Sequence, residues 1–288
     1  MKDSEQLAWE GENGPKFAIA AFVAGILNVA AFVVERIALG GVTNERELLG
    51  KINDHPGLLY VNVALQSLGV AALMLALFYL VRAVMARRPE GLKFLWPLLL
   101  LAPILLVVGG VLTQLHLTDL ADEFLGSGAR TTARAKELFK DNRAVASTLP
   151  GSLGTLCLAL SYVLVSVNGM RAGLLSRFMG VLGLIAGALL ILPLPFIRGG
   201  GTFVQLFWVV ALGVLFLDRW PKGRGPAWAA VDDIPWPNAA QARVPEAPTD
   251  PPETASSPAV TAGEGNGHSA AVKPARTRNS RKKKRKRR

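Results

Sequence analysis

The chain has 288 residues, a mean hydropathy of +0.33, a formal net charge of +11 and one cysteine. Since 51% of the residues are hydrophobic and 18% are charged, the two classes must be segregated along the chain, as in a membrane protein with polar ends. The single cysteine, Cys157, excludes an intrachain disulfide and a zinc site built from several cysteines.

The chain starts with a polar N-terminal segment, residues 1–16, that carries four acidic side chains. A cleavable signal peptide starts with basic residues, so this segment is expected to stay in the mature protein. The apolar residues 17–34 follow, with Asn28 near their middle. They predict the first membrane span.

Two further spans are predicted from residues 58–81 and 94–115. Residues 58–81 contain no charge and, at about 1.5 Å per residue, are long enough to cross roughly 30 Å of hydrocarbon. Between the first two spans, residues 40–55 predict a short amphipathic helix on the membrane surface, with Thr43 as its N-cap.

The fourth, fifth and sixth spans are predicted from residues 151–170, 178–197 and 203–217. Residues 118–149 form the longest polar connection, in which an interfacial helix is expected from Thr131 onward. The sixth apolar run is short for a crossing, which local thinning of the bilayer would accommodate. The predicted fold is an all-α transmembrane bundle of six helices over residues 17–220.

Residues 221–288 have a different composition and are predicted to form a disordered tail. Ten of the eighteen prolines lie there, with too few apolar side chains to offset the entropy cost of folding. The tail ends in a polybasic cluster. Its last eight residues are Arg281, Lys282, Lys283, Lys284, Arg285, Lys286, Arg287 and Arg288. Anionic lipid headgroups are the expected partner, and nucleic acid, a ribosome or solvent alone are the alternatives.

The distribution of basic residues predicts that both termini are cytoplasmic. Residues 82–93 contain four basic side chains and residues 171–177 contain two, whereas residues 198–202 contain one. Because cytoplasmic loops of membrane proteins are enriched in Lys and Arg, these two connections and the tail are expected inside. The interpretation is a multi-pass protein of the plasma membrane.

Uncharged polar residues within the spans form the first candidate site. Amides four residues apart on the second span share a helix face, and lipid contact is costly for them, so they are expected to face the bundle interior. Such groups either hydrogen-bond between helices or line a solute path. The candidate residues are Asn28, Asn62, Gln66, Ser161, Tyr162 and Ser166.

The second candidate site lies where the third span leaves the membrane. If that helix continues, His116, Asp119 and Glu123 share one face, and His55 lies at the same side of the membrane. The pattern suits a metal or proton-binding cluster, but spacings this loose often arise by chance where a helix leaves the bilayer, so the solvated end of a helix is the favoured interpretation. No cofactor is predicted, since the sequence contains no nucleophile elbow, phosphate-binding glycine loop or zinc-peptidase helix.

These features favour an integral membrane protein with a structural, sensory or partner-binding role, whose protein partner the sequence does not identify. A small-solute transporter is the alternative, because polar residues and prolines in several spans could line a cavity. Enzyme activity has little support, because the central thirds of the predicted spans contain no ionisable residue.

Two stretches carry a resemblance to a known family. They are INDHPGLLYVNVALQSLGVAALMLALFYLV at residues 52–81 and RAGLLSRFMGVLGLIAGALLIL at residues 171–192. Both resemble the six-helix bacterial membrane proteins grouped as a domain of unknown function, common in actinobacteria. The resemblance covers residues 17–218. It implies a bacterial plasma membrane and transfers no catalytic residue.

Overall fold

A computed structural model describes residues 3–89, 93–126, 128–140, 142–192, 200–221, 223–234 and 236. Over these residues the fold is helical throughout, without strands, as the sequence predicted. The helices are α1 (Asp3–Leu39), α2 (Glu45–Asp54), α3 (Pro56–Arg87), α4 (Leu95–Gly126), α5 (Thr132–Leu138), α6 (Asn142–Arg171), α7 (Arg177–Ile191) and α8 (Gly200–Phe216). A single 3-10 turn, Pro226–Ala229, follows α8.

Four of these helices are long and apolar enough to cross a membrane, namely α1, α3, α4 and the part of α6 from Val145 to Arg171. They contain the first four predicted spans, except for Phe94, which precedes α4. The helices α7 and α8 are apolar but have only 15 and 17 residues, which correspond to about 22 and 25 Å of helix. The chain is therefore a helical membrane protein with at least these four candidate spans among its described residues.

The helix α1 packs antiparallel to both α3 and α8. Near its start, Gly14 faces the carbonyl of Phe216 at the end of α8, and farther along, Gly25 faces Leu206 near the start of α8. A Cβ added at Gly14 would lie 3.0 Å from that carbonyl oxygen, which is tighter than an ordinary contact, so glycine favours this approach. Small residues at such contacts let membrane helices pack closely.

The helices α4, α6 and α7 form the other side of the bundle, with neighbours again antiparallel. The backbones of α4 and α6 approach closely where a Cβ added at Gly109 would lie 2.2 Å from the backbone nitrogen of Gly151. Farther along α6, its Ser166 hydroxyl faces Gly183 of α7. The six longer helices thus run back and forth between two ends of the bundle.

One end, called here the lid end, is covered by α2 and α5. Their apolar residues Leu49, Ile52 and Ala135 are buried against Leu120 and Phe124 of α4. The N-cap of α2 is Asn44, not Thr43 as predicted, because the Asn44 side chain accepts the backbone N–H of Glu47. Thr43 instead donates to the carboxylate of Glu47, which completes a reciprocal cap.

The other end is covered by residues 217–236, called here the strap, which fold back after α8. Predicted disorder from residue 221 is therefore wrong for residues 223–234 and 236. Ala227 and Trp228 are buried against the bundle. Their apolar side chains were not apparent from a composition averaged over the whole tail. Residues 237–288, including the polybasic cluster, lie outside the described residues.

Candidate functional site

The strap end contains a buried ion pair between α1 and α3. Nη1 of Arg87 donates to Oε1 of Glu10 at 2.7 Å, and Nη2 donates to Oε2 at 2.9 Å. The two side chains are 0% and 3% exposed. Gln6, one turn earlier on α1, donates to the same Oε1 at 2.8 Å. This two-pronged geometry is the strongest form of an arginine–carboxylate contact, and it fixes the start of α1 against α3.

Tyr79 lies beside this ion pair, on the same face of α3 as Arg87. Since Tyr79, Ala83 and Arg87 are spaced by four residues, they occupy one helix face. The Tyr79 hydroxyl donates to the backbone carbonyl of Glu10 at 2.8 Å. Four aromatic rings surround Tyr79 with centroid distances of 4.7 to 5.9 Å. They belong to Phe216, Phe17, Trp9 and Trp228. The ion pair is thus enclosed by apolar surface, which strengthens its attraction.

Arg87 also holds the strap. Its Nε donates to the carbonyl oxygens of Ala227 at 2.9 Å and Ala230 at 3.1 Å, while Nη1 donates to the carbonyl of Ala83 on its own helix. One guanidinium therefore joins α1, α3 and the strap. We call Glu10, Arg87, Tyr79 and Trp228 the latch.

Three further contacts fasten the strap to other helices. The indole Nε1 of Trp228 donates to the carbonyl of Leu174, in the turn between α6 and α7, at 2.9 Å. Arg224 donates to the carbonyls of Leu215 and Phe216 in the last turn of α8, and the Leu215 carbonyl also accepts the backbone N–H of Asp218. An ion pair of 2.6 Å joins Arg88 to Asp233, but both side chains are more than a third exposed, so its contribution is small.

The sequence did not predict the latch. Glu10 was assigned to the polar N-terminal segment and Arg87 to a basic loop, whereas α3 continues six residues past the predicted span end at residue 81. A signal was nevertheless present on α1. Gln6, Glu10 and Gly14 continue backward the three- to four-residue spacing of the buried small residues Ala18 and Ala21. The buried face of α1 therefore begins before its apolar run.

The first predicted polar cluster is only partly assembled. The amide of Asn28 donates to the carbonyl of Ala24 at 2.9 Å, and Ser161 donates to that of Cys157 at 2.8 Å, so both hydrogen-bond within their own helices. Tyr162 is fully buried and accepts a hydrogen bond of 3.1 Å from Gln205 on α8, a residue that the sequence analysis did not select.

Gln205 and Asn28 line the same crevice, between α1, α3 and α8. Thr202 and Leu73 also line it, and its cavity volume is about 10 Å³, which is room for roughly one water molecule. Gln205 therefore links two of the predicted residues, Asn28 and Tyr162. Ser166 is buried against Gly183, and its hydroxyl has no hydrogen-bond partner among the described residues.

The two amides of α3 are hydrogen-bonded to each other, with Nε2 of Gln66 donating to Oδ1 of Asn62 at 3.2 Å. Asn62 is buried, whereas Gln66 is exposed and lines a cavity of about 80 Å³ between α3 and α4. The structure brings neither amide into hydrogen-bonding contact with Ser161, Tyr162 or Ser166. Asn28 of α1 packs against Gly69, one turn along α3 from Gln66.

The second predicted site lies at the lid end. The helix α4 does continue to Gly126, so His116, Asp119 and Glu123 share a face as expected. Asp119 and Glu123 are exposed, and so is His55 at the junction of α2 and α3. Nε2 of His116 is buried without a hydrogen-bond partner in the described part of the chain. Within that part, no three His, Cys, Asp or Glu side chains are placed to hold a metal ion.

The latch is the most completely built polar arrangement in the described structure. Both carboxylate oxygens of Glu10 and all three guanidinium nitrogens of Arg87 are hydrogen-bonded. Because these atoms are all engaged, the arrangement suits a structural role, holding helices together, better than proton exchange. No protein-family model, curated protein or solved structure matches the chain. The latch and the two cavities are therefore the features from which a function is inferred.

Proposed function

We propose that this chain is a partner-binding integral membrane protein that holds its polybasic tail at the cytoplasmic face of a bacterial plasma membrane. The observation that carries the proposal is the triple attachment of Arg87 to α1, α3 and the strap. This attachment fixes the point at which the chain leaves the bundle. The tail then starts at the end of the bundle where α1 begins. It continues from the strap, which Arg87 holds in place, and not directly from the end of α8.

In this proposal α7 and α8 also cross, giving six spans with both termini inside. Support comes from their packing, since α7 lies antiparallel along α6 and α8 lies antiparallel along α1. A helix of about 22 to 25 Å is a few ångströms shorter than the usual hydrocarbon thickness, and thinning of the bilayer accommodates such a mismatch at a modest cost.

The orientation is supported by the basic residues at the strap end. The stretches 82–93 and 171–177 both lie there, with four and two basic side chains. The enrichment of Lys and Arg on the cytoplasmic side of membrane proteins places this end inside. The resemblance to bacterial six-helix proteins favours the same membrane and remains a prediction.

The proposed partner of the tail is an anionic lipid headgroup. Residues 281–288 are all Lys or Arg. Each basic residue near an anionic membrane gains on the order of 1 kcal/mol. A flexible linker of about 44 residues, from 237 to 280, has a typical end-to-end distance of roughly 35 Å, so the cluster reaches the membrane beside its own bundle.

A fluorophore at residue 280 of the full-length chain tests this partner. With Ser280→Cys in a Cys157→Ser background, we expect the probe to lie close to the bilayer in liposomes that contain anionic lipid. Because the attraction joins exposed charges, 1 M salt should release it, the Debye length falling from about 10 Å at 0.1 M to about 3 Å.

The matched control replaces the eight basic residues 281–288 by Gln and should remove the signal. Equal proximity in purely zwitterionic liposomes would contradict lipid binding by charge. Release from anionic liposomes by added RNA at constant ionic strength would identify nucleic acid, or a ribosome, as the preferred partner instead.

A small-solute transporter is the second candidate. The polar crevice beside Asn28 and Gln205 favours it, since neutral polar groups from two helices meet there inside the bundle. However, the crevice has room for roughly one water molecule, so transport would need a wider state. Uptake of labelled solutes by proteoliposomes, compared with an Asn28→Leu variant, would distinguish a carrier from an anchor.

A further inference from the structure

A cavity between α3 and α4 opens at the side of the bundle, next to the exposed side chain of Gln66. Its volume is about 80 Å³, and its lining residues are Val63, Gln66, Ser67, Val70, Leu106, Val107 and Gly110. A cavity of roughly 10 to 15 Å³ already holds one water molecule. Something larger than a single water therefore fits here.

Hydrogen-bonding capacity in this cavity is concentrated on Gln66. The hydroxyl of Ser67 donates to the carbonyl of Val63 at 2.7 Å and is thereby engaged within its own helix. Gln66 uses one N–H for Asn62, which leaves its second N–H and its carbonyl oxygen unpaired among the described contacts. A donor and an acceptor thus stand side by side in an otherwise apolar wall.

Size and charge restrict what can bind. A cavity of roughly 150 Å³ accepts benzene, so one of about half that volume suits a molecule of roughly four non-hydrogen atoms. None of the seven lining residues is ionisable, and an ion transferred into such a wall would lose its hydration without gaining a counter-charge. The ligand must be neutral.

We propose that this cavity binds a small uncharged molecule that joins an amide or hydroxyl group to a short apolar part, with Gln66 as the residue that recognises the polar group. The apolar part contacts Val63, Leu106 and Val107. The polar group exchanges hydrogen bonds with the free N–H and carbonyl oxygen of Gln66. This site does not depend on the tail or on the proposed anchoring function.

Acetamide, with four non-hydrogen atoms and no charge, is the probe. A cysteine at the cavity wall, Val107→Cys in a Cys157→Ser background, reports occupancy through its rate of reaction with the neutral reagent methyl methanethiosulfonate. In the full-length protein in nanodiscs, we expect saturating acetamide to slow this reaction at least threefold. Acetate, of the same size but charged, should have no effect.

Two matched variants make the result specific. Val108→Cys places the thiol one residue away on the exposed side of α4, and acetamide should leave its rate unchanged. Gln66→Leu, combined with Val107→Cys, should abolish the protection. Equal slowing at position 108, or protection that persists in the Gln66→Leu variant, would overturn the proposal.

A second measurement needs no substitution. Ligand-observed NMR on the unmodified protein should show saturation transfer to acetamide that a Gln66→Leu protein lacks. If acetamide receives no saturation from the unmodified protein, the cavity holds only water and the inference is wrong.

Discussion

Glu10 and Arg87 illustrate how much one buried charge depends on the other. The side chains are almost completely withdrawn from water, so the loss of either charge leaves its partner uncompensated. Breaking a buried pair in this way typically costs about 3 to 5 kcal/mol. We therefore expect Glu10→Gln, which keeps the size of the side chain, to lower stability by about 3 kcal/mol, measured by thermal or denaturant unfolding in detergent.

The control is Glu12→Gln, two residues after Glu10 and on the exposed side of α1. Glu12 pairs with Lys16 on the exposed side of α1, so this change should have little effect. A double variant, Glu10→Met with Arg87→Met, should recover part of the loss, because no unpaired charge remains. Equal stability of the Glu10→Gln and Glu12→Gln proteins would show that the pair does not hold α1 in place.

Glu47 at the start of α2 gives a pH-dependent prediction. Hydrogen bonds from the backbone and hydroxyl of Thr43 lower the pKa of Glu47 below its ordinary value of 4.5. A carboxylate with a lowered folded-state pKa contributes stability above the ordinary pKa and loses it as the pH falls through the folded value. We expect hydrogen-exchange protection of α2 to fall as the pH is lowered past the ordinary value of 4.5, and Thr43→Val, which removes the hydroxyl bond but keeps the backbone N–H bond, to weaken this dependence. Unchanged protection factors at pH 3 would contradict it.

Among the elements, the strap depends most on a single side chain. Trp228 is buried, and its indole donates to the turn between α6 and α7. Truncation of a buried Trp to Ala typically costs about 3 to 5 kcal/mol of stability. We expect this loss to exceed the free energy that holds so short a segment on the bundle. We predict that Trp228→Ala releases the strap, which limited proteolysis would detect as new cleavage between residues 223 and 236.

A matched control for the strap is Asp233→Asn. It removes the partly exposed ion pair with Arg88 and should leave the strap protected. If the strap resists protease in both variants, Arg87 and Arg224 alone are enough to fasten it.

Apolar runs predicted the positions of all six longer helices, because a helix that is surrounded by lipid needs a continuous apolar surface. They did not predict where the helices end. The helix α1 begins at Asp3 and α4 ends at Gly126, well outside the apolar runs at 17–34 and 94–115. Apolarity marks the part of a helix that lipid surrounds, whereas the ends are held by protein contacts such as Tyr79 to Glu10.

The latch could not be predicted from the sequence, for a different reason. Glu10 and Arg87 are 77 residues apart, and each stands in a stretch where charged side chains normally face water. Only the packing of α1 against α3 brings them together. The polar residues of the spans could be selected from sequence, but their partners could not, since Asn28 and Ser161 bind carbonyls of their own helices.

At the scale of the whole molecule, the two ends of the bundle are closed in different ways. The lid end is covered by two short helices through an apolar cluster that includes Leu49 and Phe124. The strap end is closed by a charged and aromatic latch, which draws on α1, α3 and the strap. Directional hydrogen bonds fix geometry more tightly than apolar contacts, so the strap end is the better base for a tail that must start from a defined point.

The proposed six crossings can be distinguished from four by the position of residue 192, at the end of α7. If α7 and α8 both cross, Leu192 lies outside, whereas if neither crosses, it lies in the cytoplasm together with the strap. Both arrangements place the tail inside, so a reporter on the tail cannot separate them. We expect Leu192→Cys, in a Cys157→Ser background, to react with a membrane-impermeant maleimide on intact cells. Asp233→Cys on the strap is the matched control and should react only after permeabilisation. Labelling of both positions only after permeabilisation would reduce the bundle to the four longer spans.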